Sequence, residues 1–218
     1  VSSAGTRAAL VLAFLTGCRL LGGPSDRIIA LEVTGSAVDT VTAGDTLRLH
    51  ARALAAGGDS VPGITITWAI LDTGAVGIEL VDPSGTFAAR RTGTWHVQAA
   101  ADSIRSDPIA ITVEAGPAVA LELRGLADAI PLGAQTTDTV TARDALDNVA
   151  AGYAGTVRFG ASDTLATLPA DYAFTAADAG VHVFAPGVTL RTTGPQRVTV
   201  RDLADSTLSV ARDVTVVP

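Results

Sequence analysis

From Ile28 onward, apolar residues recur at every second position, and this period constrains the fold more than any other feature of the chain. Ile64, Ile66, Trp68 and Ile70 share one face of an extended segment, with Thr65, Thr67 and Ala69 on the other. Leu47, Leu49, Ala51 and Ala53 alternate with Arg48, His50 and Arg52. Trp95, Val97 and Ala99 repeat the pattern, as do Ile109, Ile111 and Val113, and Ile29, Leu31 and Val33 open the series. Such a period cannot line one side of a helix; it gives an antiparallel sheet with one buried and one wet face. Between the runs lie turn formers: Ala43-Gly44-Asp45, Gly57-Gly58-Asp59, Asp82-Pro83-Ser84-Gly85 and Arg91-Thr92-Gly93. Proline presets φ there and glycine accepts the left-handed region. Short strands at this spacing predict an all-β protein of sandwich type and no helix of note.

The series ends at Ala115-Gly116-Pro117 and starts again. Val119, Leu121 and Leu123 open the second run, followed by Val140/Ala142, Val157/Phe159, Val188/Leu190, Val198/Val200 and Val214/Val216. The expected division is 26–115 and 116–218, one sandwich each. A three-residue junction predicts restricted motion between them. The prolines fall at the proposed boundaries and none in mid-strand, as a sheet requires. Arg212 breaks the pattern, since it shares the parity of Val210, Val214 and Val216. A bulge that turns it outward is the first expectation and pairing with an aspartate the second; a charge there also discourages edge-to-edge aggregation.

The first 25 residues read differently. Arg7 precedes an apolar run from Ala8 to Leu15, then small residues, which is the layout of a secretory signal. The run is shorter than the ~20 residues a bilayer span needs. Leu15-Thr16-Gly17-Cys18 resembles the lipobox of bacterial lipoproteins. The resemblance implies a signal peptide over 1–17 and acylation of Cys18, with 18–25 as lipidated residue and tether. Arg19 follows where an aspartate can favour inner-membrane retention, which leaves an outer surface open. Val1 fits a GTG start or a fragment equally.

Two further stretches carry a family resemblance. Gly44-Asp45-Thr46 opens one strand, Val61-Pro62-Gly63 precedes the strand of Trp68, and Ser84-Gly85-Thr86-Phe87 precedes the late Gly93-Thr94 strand. Residues 28–113 in this order resemble the bacterial Ig-like repeats of surface proteins. Asp144 to Asn148 followed by Gly152-Tyr153-Ala154-Gly155-Thr156-Val157 resembles another such repeat, with Asp147 in a slot that is usually glycine. The resemblance implies two tandem immunoglobulin-like β-sandwiches. It implies no one function, because such folds serve adhesion, spacing and accessory binding alike.

The chemistry is sparse. The chain holds 15 Arg and no Lys against 18 Asp and 4 Glu, a net charge of -7, so it lacks the footprint of a nucleic-acid binder. Its single cysteine can form neither an intrachain disulfide nor a structural zinc site. There is no Gly-x-Ser-x-Gly, P-loop or Gly-x-Gly-x-x-Gly. His50 and His96 fall on the wet faces of opposite sheets and cannot share a metal. His182, in Asp178-Ala-Gly-Val-His182-Val-Phe184, mimics immunoglobulin strand F, but three further strands are expected after it, so it is read as an ordinary edge position. Asp144, Asp147 and Asn148, with Asp128 and Asp138 nearby, invite calcium, yet they fall short of six to eight oxygens and read better as a turn. Trp68 and Trp95 lie on apolar faces and are expected in the core. Tyr153 and Tyr172, in loops, are the better candidates for exposed aromatics.

The sequence therefore predicts a non-enzymatic, exported, lipid-anchored envelope protein. It would act as an adhesive or spacer module with a protein or glycan ligand at the cell surface, and without catalytic residues, cofactor or metal. The alternative is a glycan-binding accessory module of a polysaccharide-processing system.

Overall fold

The computed structural model describes residues 27–35, 40–74 and 77–218. Up to Glu114 they form β1 (Ile28–Gly35), β2 (Thr40–Thr42), β3 (Thr46–Ala55), β4 (Ser60–Val61), β5 (Thr67–Ile70), β6 (Ile78–Asp82), β7 (Thr86–Ala89), β8 (Gly93–Ala101), β9 (Ile104–Arg105) and β10 (Ile109–Glu114). Beyond it come β11 (Ala120–Arg124), β12 (Ala129–Pro131), β13 (Asp138–Arg143), β14 (Thr156–Ala161), β15 (Tyr172–Ala173), β16 (Val181–Phe184), β17 (Gly194–Asp202) and β18 (Ser209–Val217). A single 3₁₀ turn, Ala176–Asp178, is the one helical element among the described residues.

The strands assemble into four sheets. In the first half, β1-β3-β7-β6, with β4 on β3, faces β2-β10-β8-β5, with β9 on β8. In the second, β11-β13-β16 faces β12-β18-β17-β14-β15. An immunoglobulin-like sandwich sets strands A, B, E and D against C, F and G. By chain order β1, β3, β7 and β6 take the first set, and β5, β8 and β10 the second. The second half repeats the scheme with β11, β13 and β16 against β14, β17 and β18. Both halves add a short strand parallel to the last one: β2 pairs with Thr112–Glu114, and β12 with Thr215–Val217.

The alternation does what the sequence predicts. Leu47, Leu49 and Ala53 of β3 and Val97, Ala99 and Ala101 of β8 are buried, while Arg48, His50 and Arg52 face water. Phe87 and Ile78 from one sheet meet Val97 and Ile111 from the other. In the second half Leu121, Leu123 and Val140 meet Val157, Phe159, Val198, Val200, Val214 and Val216. Burying a side chain of this size is worth roughly 1.5–3 kcal/mol, so these facing rows dominate the stability.

Four details differ from the alternation as read. Ile29 is exposed, because a register shift between Ile28 and Ala30 bulges it out and Ile28 takes the inner place. Val119 is exposed just ahead of β11. Val188 and Leu190 are buried but belong to no strand; Thr189 between them makes isolated bridges to Gln135 and Thr167. Only β17 and β18 therefore follow β16. Pro131 and Pro195 do lie within strands, at the end of β12 and near the start of β17, where the strand has a neighbour on one side only.

Arg212 needs no bulge. The β17–β18 register runs unbroken from Gly194/Val216 to Arg201/Ser209, and Arg212 reaches out to Asp128 at 3.7 Å. Pairing, the second expectation, replaces the first. Since β12 covers β18 only at Thr215–Val217, Arg212 stands on an open stretch of its edge.

Candidate functional site

Cys18 and the leader lie outside the described residues. The best-defined polar site is the turn from Asp144 to Asn148, directly after β13. One Asp144 carboxylate oxygen accepts the Leu146 and Asn148 backbone N–H groups at 2.9 and 2.8 Å. The other accepts the Gly116 N–H at 3.0 Å and the Asn148 side-chain amide at 3.0 Å. Asp147 sits at φ +65°, the left-handed conformation that explains why the slot favours glycine and tolerates aspartate. Asn148 then reaches across to the first half: its amide donates to the Arg90 carbonyl at 3.0 Å, and its oxygen accepts the Thr92 N–H at 3.2 Å. One turn of the second half thus holds both the junction at Gly116 and the β7–β8 turn of the first. Both side chains are buried. Burial pushes the Asp144 carboxyl up, but the donors around it outweigh this and hold it below the usual carboxylate range.

This arrangement accounts for the aspartates that invited calcium. Asp144 has its oxygens filled by N–H donors. Asp147 and Asp128 project into water, and Asp138 lies inside the core. The four aspartates do not converge. Among the described residues no group of three or more His, Cys, Asp or Glu side chains is placed to hold a metal ion.

Asp144 belongs to a set. Asp82, Asp163, Asp202 and Asp205 accept the N–H two residues on, as Asp144 does, so part of the excess of aspartate over glutamate is turn chemistry. Burial pushes Asp163 up, but donors from Arg191, Thr192 and Leu165 bring it down to about 2. Asp202 accepts from Ala204, Asp205 and the Tyr153 hydroxyl. That last bond corrects the reading of Tyr153 as an exposed aromatic. Its ring is buried, edge-on to Phe174 at 5.0 Å, and burial followed by the Asp202 contact raises its phenol pKa. Sequence spacing could not show this, because Asp202 lies 49 residues further on.

The remaining candidates divide. His50 is exposed on β3, and His96 on β8 contacts Asp72, so the two lie on opposite sheets as expected. Trp68 and Trp95 pack partly buried against the core; Trp68 meets Phe87 edge-on at 5.7 Å, and the Trp95 indole N–H donates to the Arg91 carbonyl. His182 is on an edge strand, yet it is not idle. Its ring stacks on Tyr172 at 3.6 Å and its Nδ1 lies 2.9 Å from Asp178. The Asp178 carboxylate also accepts from Tyr172 and from the Thr175 N–H and hydroxyl, and these bonds hold it well below the usual range. The cluster borders a cleft of about 410 Å³ between β15 and β16.

Fold and site together define an immunoglobulin-like β-sandwich protein in which buried aspartates cap turns. No family model matches the chain, and no curated protein matches it. Among solved structures it is similar to the Escherichia coli adhesin FdeC, with 21% identity over 86% of this chain and 64% of that one, TM-score 0.47. It is similar also to the Yersinia pseudotuberculosis adhesin InvE, with 17% identity over 89% and 61%, TM-score 0.39. Domains 4 and 5 of the S-layer protein SbsC give 19% identity over 88% and 100%, TM-score 0.34. The chain spans under two thirds of the two adhesin structures. At these values the fold assignment rests on the strand order above. No described helix is long and apolar enough to cross a membrane.

Proposed function

We propose that this is a non-enzymatic cell-envelope protein, anchored through a lipid on Cys18, whose two Ig-like domains, 26–115 and 116–218, serve as an adhesive or spacer module. Residues 1–17 are the signal peptide that export removes, and 18–25 the tether. The observation that carries the reading is the joint. A three-residue link already restricts the motion of two sandwiches; here the Asp144–Asn148 turn, through the buried side chains at its two ends, also clasps the link at Gly116 and the β7–β8 connection. Such a joint suits a rod that holds its far end away from a membrane. The adhesin and S-layer names among similar structures agree with a surface role without carrying it. Of the two loop tyrosines that the glycan alternative called on, Tyr153 is committed to packing, while Tyr172 stays half-buried beside the cleft.

The anchor is tested by Cys18→Ala in the full chain expressed in a bacterium that processes lipoproteins. The expected result is transfer of the protein from the membrane to the soluble fraction and loss of acyl label. A variant still firmly in the membrane fraction overturns the anchor.

A further inference from the structure

The two halves follow one topology but differ at one place. In the first, the chain before β7 returns along its outer edge as β6. In the second, the chain between β14 and β16 spends its one strand, β15, on the opposite sheet. That crossing leaves the 410 Å³ cleft, walled by Thr167 to Tyr172 and by His182 to Gly187, with Gln135 also in its lining. A cleft of this size is in the range that takes a small ligand.

Its lining is polar without being charged. The one carboxylate, Asp171, is already neutralised: Arg158 donates to it through Nε at 2.8 Å and through Nη2 in a bidentate pair. No arginine lines the cleft. The isolated bridges 135/189 and 189/167 set Gln135 and Thr167 on either side of Thr189, with the three side chains on one face. Both Gln135 and Thr167 are exposed, and neither side chain bonds to another described residue. His182 adds an acceptor. The Asp178 carboxylate can only accept, so the His182 Nδ1 at 2.9 Å carries the hydrogen, and a neutral ring has its Nε2 lone pair to offer.

Beside these polar groups stand Pro169, Tyr172 and Pro186. The Tyr172 ring is fixed before any ligand arrives. It stacks on His182 at 3.6 Å, meets Phe184 edge-on at 5.7 Å, and bonds Asp178 through its hydroxyl at 3.0 Å. A wall held in this way costs little ordering on binding.

We propose that this cleft binds an uncharged saccharide. Its C–H face packs on Tyr172 and the two prolines, and its hydroxyls bond the Gln135 amide, the Thr167 hydroxyl and the His182 Nε2. An amide and a hydroxyl each donate and accept, as sugar hydroxyls do. A purely apolar ligand would desolvate three polar groups without replacing their hydrogen bonds. A charged one would meet no free counter-charge, since Asp171 and Arg158 satisfy each other. The inference deepens the adhesive reading above and is independent of the Cys18 anchor.

The probe is an array of neutral and anionic oligosaccharides, exposed to residues 26–218. The neutral glycan retained most strongly is then titrated and followed by amide NMR. Retention of neutral glycans, with saturable shifts confined to Gln135, 167–172 and 182–187, is the expected result. Thr167→Val removes the hydroxyl at nearly constant volume and Gln135→Leu removes the amide; each should weaken binding up to roughly tenfold. Neither side chain supports the fold, so both variants stay folded where Tyr172→Ala, expected to abolish binding, loosens its surroundings. No retention, retention of anionic glycans alone, shifts that map elsewhere, or unchanged affinity in both Thr167→Val and Gln135→Leu overturns the proposal. The membrane fractionation of Cys18→Ala is read separately, so the anchor and the cleft fail independently.

Discussion

The two sandwiches share a strand order and differ in what fills them. The first is almost wholly apolar inside: its core divides into one cluster around Phe87, Val97 and Ile111 and another around Leu31, Ala53, Ala99 and Ala101, and Ser106 is its one buried polar residue among those described. The second has a single continuous core with Phe159, Phe174, Phe184 and Tyr153, and it buries Asp138, Asp144, Asp163 and Asp202. One topology is thus stabilised in two ways. Where strands leave short, tight turns, packing suffices; where the connections are long, as between β14 and β16, buried carboxylates organise the loop backbone.

Spectroscopy can separate the two, because both tryptophans lie in the first sandwich and both tyrosines in the second. The largest effect expected is for Phe87→Ala. It should cost the tryptophan-reported transition about 3–5 kcal/mol and leave the tyrosine signal in place. An equal loss in both signals would mean that the sandwiches unfold as one unit and would erase the contrast.

Next comes Asp202→Ala, which strands the Tyr153 hydroxyl and two backbone N–H groups. Urea unfolding read by tyrosine near-UV dichroism should lose about 2–3 kcal/mol. Acid should act in the same direction. Asp144, Asp163 and Asp202 have folded-state pKa values below those of the unfolded chain, so their stabilisation is present above about pH 4 and is lost as pH falls toward 2. The tyrosine signal should therefore fail at higher pH than the tryptophan signal; the reverse order would break the comparison.

Asp138 sharpens it. Burial raises its pKa despite bonds from Val188 and Thr136, and one of its oxygens has no partner. A raised carboxyl favours the folded state at low pH and subtracts from stability as pH rises through its folded value. Asp138→Asn should gain on the order of 1 kcal/mol at pH 7 in the tyrosine transition, and the gain should vanish below about pH 4. A gain that is independent of pH would show that charge is not its source.

How much of this was legible in the sequence depends on how far each residue's partners lie along the chain. The strands were, because alternation is local: β3 and β8 follow the spacing of Leu47 and Val97 residue by residue. The Asp144–Asn148 turn was legible as a turn but not as a joint, since Arg90 lies 58 residues from Asn148. Tyr153 was misread for the same reason. A Gly-Tyr-x-Gly stretch looks like an exposed loop until Asp202 closes over it. Arg212 was read correctly as an anomaly, while its remedy, Asp128, needed the fold to bring it near.

The smallest effect on the two transitions, about 1 kcal/mol or less, belongs to Asn148→Ala: Asp144 keeps its three backbone donors, and the Arg90 carbonyl and Thr92 N–H that the variant releases reach water as the joint loosens. That variant leads to the most direct test of the central claim, that the two sandwiches form one rod. Residual dipolar couplings measured on residues 26–218 should fit a single alignment tensor for both halves in the parent, and two tensors of different magnitude in Asn148→Ala. Two tensors in the parent itself would contradict the account.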